Sequence, residues 1–279
     1  ASMTMATNYG IITENFPPEM RGRSLGVLGS FVSLGSIAGP GIGGIIIQRY
    51  TWHYIFLINI PIGIFAFILG DFVFPKSKKS DIPLKLDYLG FILFDICIIS
   101  LFMGIFIGQV IGFNKLSIIM LFLMALCSFI GFIFQEKRSN NPLIDLTIFN
   151  NKSFSVGLTC AVLIFSSNLF MNTLLPFYLQ DTLKLSSLLS GFILMCVPIA
   201  MVVVAPISGA LSDKMGAEGL TFTGLLIVSI SQLLFIFIGL KTTMAYLIFL
   251  TLLAGIGVAL FQSPNNSIIM SSVEHNHLG

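Results

Sequence analysis

Polar side chains inside long apolar stretches are the residues of this sequence that are best placed to do chemistry. Asp95 is the clearest of them, because it is the only acid that stands within one of these stretches rather than at its end. An ionisable group at the centre of a bilayer costs about 3 kcal/mol or more, so its presence indicates a functional group or a buried partner. Asp95 is therefore a candidate proton carrier, and the alternative is a structural acid near the membrane surface.

Three amides form a second candidate site. Asn168 and Asn172 are four residues apart, so they share one face if their stretch is helical. Gln262 stands near the end of a later apolar stretch. In lipid such groups must face the protein interior or a cavity. Lining a substrate path and bridging two helices both fit this pattern, and capping a helix end fits Gln262 as well.

Other chemistries find no support in the sequence. The four cysteines stand singly in apolar stretches, and the three histidines, among them His275 and His277, do not combine with acids at metal-ligand spacing. The phosphate-binding pattern GxxxxGK[ST] and the catalytic patterns GxSxG and HExxH are absent. We therefore expect no catalytic residue, no metal, no cofactor and no direct use of ATP. A net charge of +2 also argues against a nucleic-acid partner.

One apolar stretch is rich in glycine at helical spacing. Gly35, Gly39 and Gly43 recur every four residues and give a helix one face without side chains, and Pro40 and Gly44 complete the pattern GxxxGPxxGG. Such a face lets helices approach closely in lipid. A proline inside a helix removes a backbone hydrogen bond and favours a bend. The spacing therefore predicts a close, bent helix contact, and a tight crossing with no special role is the alternative.

A second pattern surrounds an acid at the end of a later stretch. Gly209, Asp213, Lys214 and Gly216 follow one another within eight residues. A small residue allows a helix contact, and an acid can bind the end of a helix or a basic group. Lys214 suits the inner membrane surface. The pattern indicates a loop that contacts a neighbouring helix, and a solvated turn is the alternative.

These residues require helices that cross a membrane. Of the 279 residues, 56% are hydrophobic and 9% are charged, where a soluble domain has about 25% charged residues. The apolar runs are continuous rather than alternating, which excludes a barrel. A span needs about 20 apolar residues. We predict an all-α polytopic membrane protein with about eight transmembrane helices, at Leu25–Ile47, Tyr54–Gly70, Tyr88–Gln109, Leu116–Phe134, Phe154–Leu179, Leu188–Leu211, Leu220–Leu240 and Ala245–Asn265.

The loops between these stretches indicate the orientation. Of the 14 Lys and Arg residues, ten fall in one set of loops and four in the other. Positive charge favours the cytoplasmic side, so the richer set is predicted to be cytoplasmic, with the long loops 71–87 and 135–153 in it. We expect a multi-pass protein of the cell membrane with short outer loops.

Together with their neighbours, the two patterns resemble a known family. GxxxGPxxGG at 35–44 resembles the antiporter signature in the fifth helix of major facilitator superfamily transporters, chiefly of its drug:proton antiporters. The stretches 16–23 and 52–63 resemble the segments that flank this helix in the fourteen-span branch. The stretch 209–216 resembles the cytoplasmic loop motif, although Ala217 and Glu218 stand where two basic residues are usual. The whole chain resembles an internal segment of that branch, from the end of helix 4 to just past helix 12.

The resemblance implies major facilitator-type helical bundles. Residues 1–74 would end the N-terminal bundle with helices 5 and 6, and residues 151–279 would supply helices 9 to 12 of the C-terminal bundle. Residues 75–150 would hold a cytoplasmic loop, the extra two-helix hairpin of the branch and a following loop. Asp95 would then lie in the hairpin, outside the transport bundles, and the proton-carrying acid is expected in helices 1 to 4.

The function implied by the resemblance is secondary active transport. Proton-coupled efflux of small amphipathic or cationic compounds is the leading interpretation, with a small-molecule substrate, protons and the lipid bilayer as partners. An uptake or exchange transporter of the same superfamily is the alternative. An integral-membrane enzyme and a non-transporting sensor are further alternatives, and the sequence shows neither the polar catalytic cluster nor the soluble regulatory domain that they would need.

Overall fold

A computed structural model of the chain describes residues 2–51, 53–73, 87–139 and 142–272, without the side chains of residues 2–6, 13–14, 18–19, 40–41, 43–45 and 47–49. The described residues form α-helices joined by short turns, and no strand occurs among them. The helices are α1 (Ser2–Asn15), α2 (Pro18–Arg49), α3 (His53–Leu57), α4 (Asn59–Val73), α5 (Tyr88–Ile111), α6 (Leu116–Arg138), α7 (Lys152–Phe177), α8 (Ser187–Met215), α9 (Ala217–Phe235) and α10 (Met244–Ser271).

Seven stretches of the described chain are long and apolar enough to cross a membrane, which confirms the predicted class. They are the pair α3–α4 and the helices α5 to α10, with α7 extended to Thr182 by a π-helical turn. The first predicted span, Leu25–Ile47, lies within α2, part of whose side chains is outside the described residues. Its Pro40, Gly43 and Gly44 are among these.

Three helices continue by a full turn or more beyond their predicted ends. α6 runs to Arg138 instead of Phe134, α8 to Met215 instead of Leu211, and α10 to Ser271 instead of Asn265. At α6 and α8 the prediction ended the helix just before a polar residue. The backbone continues because polar side chains at the end of a span can reach water or another helix without leaving the helical conformation.

The described chain divides into two compact units, and each is described by itself. Unit 1 comprises residues 1–74 and 151–279, and unit 2 comprises residues 75–150. Unit 2 is a hairpin of α5 and α6. Its turn begins at Gly112, whose φ of +95° favours glycine. Gly104 and Gly108 leave room for the rings of Phe122 and Phe113, so the two helices pack closely.

Helix α10 lies at the centre of unit 1. It packs against α2, α7, α8 and α9, and half of its most apolar window is buried, against 28% or less for the other spans. Small residues allow this packing. A Cβ atom on Gly255 would collide with the carbonyl of Val197, and one on Gly224 would collide with the backbone of Phe261. Close backbone approach at small residues is how helices associate in lipid.

Candidate functional site

The loop pattern around Asp213 meets the beginning of α2. The two carboxylate oxygens of Asp213 accept the backbone N–H groups of Gly22 and Arg23, each at 2.8 Å. Both N–H groups lie in the second turn of α2. Bonds from N–H groups to a carboxylate are stronger than those to a neutral acceptor. Asp213 therefore joins the end of α8 to the beginning of α2 across 190 residues of sequence.

The two helices touch at this point through glycine. Gly22 and Gly209 face each other so closely that a Cβ atom on Gly209 would collide with the carbonyl oxygen of Gly22. That same oxygen accepts a hydrogen bond from the hydroxyl of Ser263 on α10, at 2.9 Å. We call this arrangement of Gly22, Arg23, Gly209, Asp213 and Ser263 the Asp213 contact. It ties three helices of unit 1 together.

The contact between α2 and α8 continues away from this end. A Cβ atom on Gly26 would collide with the carbonyl oxygen of Ala205, and the hydroxyl of Ser30 donates to the carbonyl of Val202 at 3.0 Å. Ser33 is buried one turn further on. Gly22, Gly26, Ser30 and Ser33 therefore form a stripe of small residues along the face of α2 that packs on α8.

Lys214 and Gly216 have different roles. The side chain of Lys214 is exposed. Gly216 has a φ of +90° and ends α8, with its N–H donating to the carbonyl of Ser212 at 3.0 Å. A left-handed residue at a helix end favours glycine, because a side chain would be strained there. Glu218 follows in the first turn of α9, where a negative charge complements the helix dipole.

The glycines of the antiporter-like pattern lie on the opposite face of α2. Gly35 stands two residues after Ser33, which places it about 200° further round the helix. Gly35 and Gly39 are exposed, and a Cβ atom on either one would have no heavy atom within 4 Å in the described chain. Close packing at this face stays a prediction.

A cavity of about 520 Å³ lies between α2, α7, α8 and α10. The three amides singled out in the sequence, Asn168, Asn172 and Gln262, all line it. Ser33 and Ser36 of α2 line it as well, and sequence reasoning missed both of them. Their signal was available, since they are hydroxyls one turn apart in an apolar helix. The volume is in the range of cavities that hold drug-sized molecules.

Aromatic and thioether side chains make up much of the rest of the cavity wall. Phe165, Met195 and Met201 are among its lining residues. None of the described side chains that line it carries a charge. The cavity therefore combines an apolar surface with a few neutral polar groups, which is the usual composition of a small-molecule site.

Asp95 belongs to unit 2, whereas the residues that line the cavity belong to unit 1. It is half-buried on α5, about two turns after the helix begins. Its role as a proton carrier stays a prediction.

A second acid of unit 2 escaped sequence reasoning. Glu136 stands on α6, just past the predicted end of the span, and is only 4% exposed. One carboxylate oxygen accepts the N–H of Ile144 at 3.2 Å, and the other has no hydrogen-bond partner in the part of the chain that the structure describes. That oxygen and a carboxylate oxygen of Asp87 both lie about 3 Å from where a Cβ of Gly90 would be.

Asp87 caps helix α5 just before the span. Its carboxylate accepts the N–H of Gly90 at 2.9 Å and the side-chain amide of Gln135 at 3.0 and 3.1 Å. The N–H of Gly90 and the amide of Gln135, together with Ser139, hold the pKa of the Asp87 carboxyl below its usual value. Hydrogen bonds to the ionised form favour that form. The cap therefore ties both helices of the hairpin together.

Unit 1 thus combines long apolar helices with a cavity between them and a contact at the helix ends. A family model described as Major Facilitator Superfamily matches residues 1–279. The chain belongs to the Major Facilitator Superfamily.

Individual members of the superfamily agree with this assignment. The chain is 34% identical over 275 residues to the riboflavin transporter RibZ of Clostridioides difficile, covering 98% of the chain and 59% of RibZ. It is 25% identical to the multidrug resistance protein Stp of Mycobacterium tuberculosis, covering the whole chain and 52% of Stp. The tetracenomycin C resistance and export protein of Streptomyces glaucescens is 29% identical over 225 residues, covering 80% of the chain and 41% of the relative.

Membership of the superfamily and the seven candidate spans of the described chain fit a multi-pass protein of the cell membrane. The chain spans about half the length of the curated relatives it matches. Its place in the fourteen-span branch, from the end of helix 4 to just past helix 12, stays a prediction, as does the division at residues 74 and 150.

Proposed function

We propose that the full-length protein is a proton-coupled exporter of small amphipathic compounds, cations among them. The observation that carries this proposal is the cavity of about 520 Å³, where Asn168, Asn172 and Gln262 meet an apolar wall. A substrate in that cavity would contact helices from both ends of unit 1, since α2 stands before residue 74 and α7, α8 and α10 stand after residue 151.

The Asp213 contact supports a mechanism of alternating access. Transporters of this kind expose a midplane site to one side at a time, as two helical bundles rock against each other. Helix α2 lines the cavity with Ser33 and Ser36 and binds Asp213 with its first turns. One helix thus links the substrate cavity to a contact at the predicted cytoplasmic end. We propose that the Asp213 contact holds that end closed and breaks when it opens.

Efflux and proton coupling rest on the antiporter-like pattern and on the relatives. The pattern at Gly35–Gly44 resembles the signature of drug:proton antiporters. Two relatives are named as a multidrug resistance protein and as a resistance and export protein. Protons moving inwards would then drive the substrate outwards without ATP. The proton would be carried by an acid in another part of the full-length protein or by Asp95.

Everted membrane vesicles that contain the full-length protein test this proposal. A lipophilic cationic dye should accumulate inside when a pH gradient, acid inside, is established, and it should leave when the gradient is collapsed. Asn172→Leu should weaken accumulation by replacing a polar cavity group with an apolar one. Accumulation that persists without the gradient would contradict proton coupling. Asp95→Asn should have little effect if the proton is carried elsewhere.

Uptake or exchange of a polar vitamin is the second candidate. The identity of 34% to the riboflavin transporter RibZ favours it. Riboflavin is a planar ring system with polar edges and a hydroxylated chain, and a neutral cavity with amides and hydroxyls suits such a molecule. Expression of the full-length protein in a riboflavin-auxotrophic host decides between the two. Growth at limiting riboflavin would support uptake, and unchanged growth together with dye export would support efflux.

A further inference from the structure

The two serine hydroxyls of the cavity already donate hydrogen bonds to their own helix. The hydroxyl of Ser33 donates to the carbonyl of Gly29 at 2.9 Å, and that of Ser36 donates to the carbonyl of Val32 at 3.1 Å. A hydroxyl has one proton and two lone pairs. With the proton held by the helix backbone, each hydroxyl can offer only lone pairs to a molecule in the cavity.

The amide of Asn168 also has more accepting than donating capacity left for a ligand. One of its N–H groups donates to the carbonyl of Ile164 at 3.0 Å, while its oxygen keeps both lone pairs. The thioethers of Met195 and Met201 also line the cavity, and sulfur of this kind is a weak acceptor without a proton. The amides of Asn172 and Gln262 offer both N–H groups and lone pairs. With the serine hydroxyls and the oxygen of Asn168 included, oxygen lone pairs outnumber free N–H groups on the described wall of the cavity.

The described wall of the cavity is also uncharged, which fits a site that accepts hydrogen bonds. No Asp, Glu, Lys, Arg or His is among the described residues that line the cavity. A buried anion needs a cation or several N–H donors to replace its water, and the described wall supplies no cation and only the N–H groups of its amides. A ligand with N–H or O–H groups would, in contrast, satisfy acceptors that otherwise stay unpaired when the cavity closes. An unpaired buried polar group costs more than a bond to it contributes.

We propose that this cavity selects its substrates by their hydrogen-bond donors. It takes amphipathic aromatic molecules that carry N–H or O–H groups, uncharged or cationic, and it disfavours anions and analogues whose donors are blocked. Ser36 and Asn168 are the specificity-determining acceptors, with Ser33 beside them. This inference rests on the proposed function, because it treats the cavity as the site where the substrate binds.

Three xanthene dyes of one shape separate donors from charge. Rhodamine 123 is a cationic methyl ester with primary amino groups, and tetramethylrhodamine methyl ester is the same cation with those N–H groups replaced by methyls. Fluorescein methyl ester has the same frame and carries a negative charge at neutral pH. Binding of each dye to the purified full-length protein is measured by fluorescence anisotropy. Rhodamine 123 should bind, and fluorescein methyl ester should bind at least tenfold more weakly.

Substitution at Ser36 gives the decisive comparison. Ser36→Ala removes one acceptor and should weaken rhodamine 123 binding about three- to tenfold, the effect of one hydrogen bond, while it leaves tetramethylrhodamine methyl ester unchanged. Ser36→Thr keeps the hydroxyl and should retain the affinity for rhodamine 123. Thr223→Ala is the matched control, because its hydroxyl makes the same bond to its own helix, at 2.8 Å to Gly219, and is exposed on α9.

The outcomes separate a failure of donor selection from a failure of the proposed binding site. Equal loss of both cationic dyes in Ser36→Ala would overturn selection by donors and leave the cavity as the binding site. Unchanged binding of both dyes in Ser36→Ala and in Asn168→Leu would place the ligand elsewhere and overturn the proposed function along with the inference. Failure of both cations to bind the unsubstituted protein would also contradict both.

Discussion

Asp213 binds the beginning of a helix with both of its carboxylate oxygens. The N–H groups of Gly22 and Arg23 approach these oxygens at 2.8 Å, and Asp213 itself is half-buried. A hydrogen bond to a charged group contributes about 1.5–3 kcal/mol, and Asp213 accepts two of them from α2. A contact of this strength at one end of α2 can decide which of two arrangements of the helices is more populated.

Removing the carboxylate should therefore open the predicted cytoplasmic end. In Asp213→Ala the two hydrogen bonds between α8 and α2 are lost, and we expect the population with α2 and α8 in contact to fall about tenfold or more. Spin labels at Met20 and Met215, which are both exposed, report this contact as an electron-paramagnetic-resonance distance in the full-length protein. Lys214→Ala is the control, because Lys214 is an exposed neighbour of Asp213. An unchanged distance distribution in Asp213→Ala would contradict the role of this contact.

The cap at Asp87 predicts a pH dependence of the hairpin. The pKa of Asp87 is lowered from its usual value of 3.8, so the ionised carboxylate stabilises the folded hairpin. That stabilisation is fully present above pH 3.8 and is lost as the pH falls through the lower folded value. Melting of the full-length protein and of Asp87→Ala should differ at pH 7 and converge only as the pH falls below 3.8. A difference that does not depend on pH would show that the charge is not involved.

The burial of Glu136 could not be predicted from the local sequence pattern. A glutamate just after an apolar run has the appearance of a solvated helix end, and Glu136 falls in the predicted cytoplasmic loop 135–153. Its burial depends on the chain after α6 folding back, so that the N–H of Ile144 reaches its carboxylate. That is a tertiary contact with no local signature. Asp213 was predicted as a binding residue, but its partner helix lies 190 residues away and could not be read from spacing.

Helix α2 has two faces of small residues with different surroundings. The face with Gly22, Gly26, Ser30 and Ser33 packs on α8, and the face with Gly35 is uncovered in the described chain. The sequence predicted a helix with one face that lacks side chains, and it placed the close helix contact at Gly35–Gly44. Spacing reveals that a helix can approach, but it does not reveal which helix does so. The glycine spacing at Gly22 and Gly26 is the same signal and carried the contact that the structure shows.

The crossing of α2 and α8 should not tolerate a single added methyl group. In Gly209→Ala the new Cβ atom would meet the carbonyl oxygen of Gly22, which is backbone and cannot turn aside. We expect transport to fall at least tenfold, with lower thermal stability of the purified full-length protein. Gly219→Ala is the matched control, since Gly219 is a helical glycine with open space around it. Its stability should stay the same or rise, because alanine favours a helix by about 1 kcal/mol over glycine.

At the scale of the whole molecule, composition predicts the class of the protein, and the apolar runs predict where most spans lie but not where each helix ends. Long apolar runs with few charges have one solution in lipid, which is a bundle of helices. Seven spans in the described chain agree with that prediction. The order in which the helices pack could not be predicted. The central position of α10 depends on close contacts that Gly224, Gly255 and Gly257 make with specific residues of neighbouring helices. Such choices among many apolar faces are tertiary and leave no periodic signal.

The orientation of the molecule is predicted by loop charge and can be tested directly. Lys137 belongs to the loops with ten Lys and Arg residues and Lys241 to those with four, and both side chains are exposed. In a full-length protein without its own cysteines, Lys241→Cys should react with a membrane-impermeant thiol reagent in intact cells. Lys137→Cys should react only after the cells are permeabilised. The opposite pattern would invert the orientation and move the Asp213 contact to the outer side. Closing of the predicted cytoplasmic end by Asp213 therefore depends on this result.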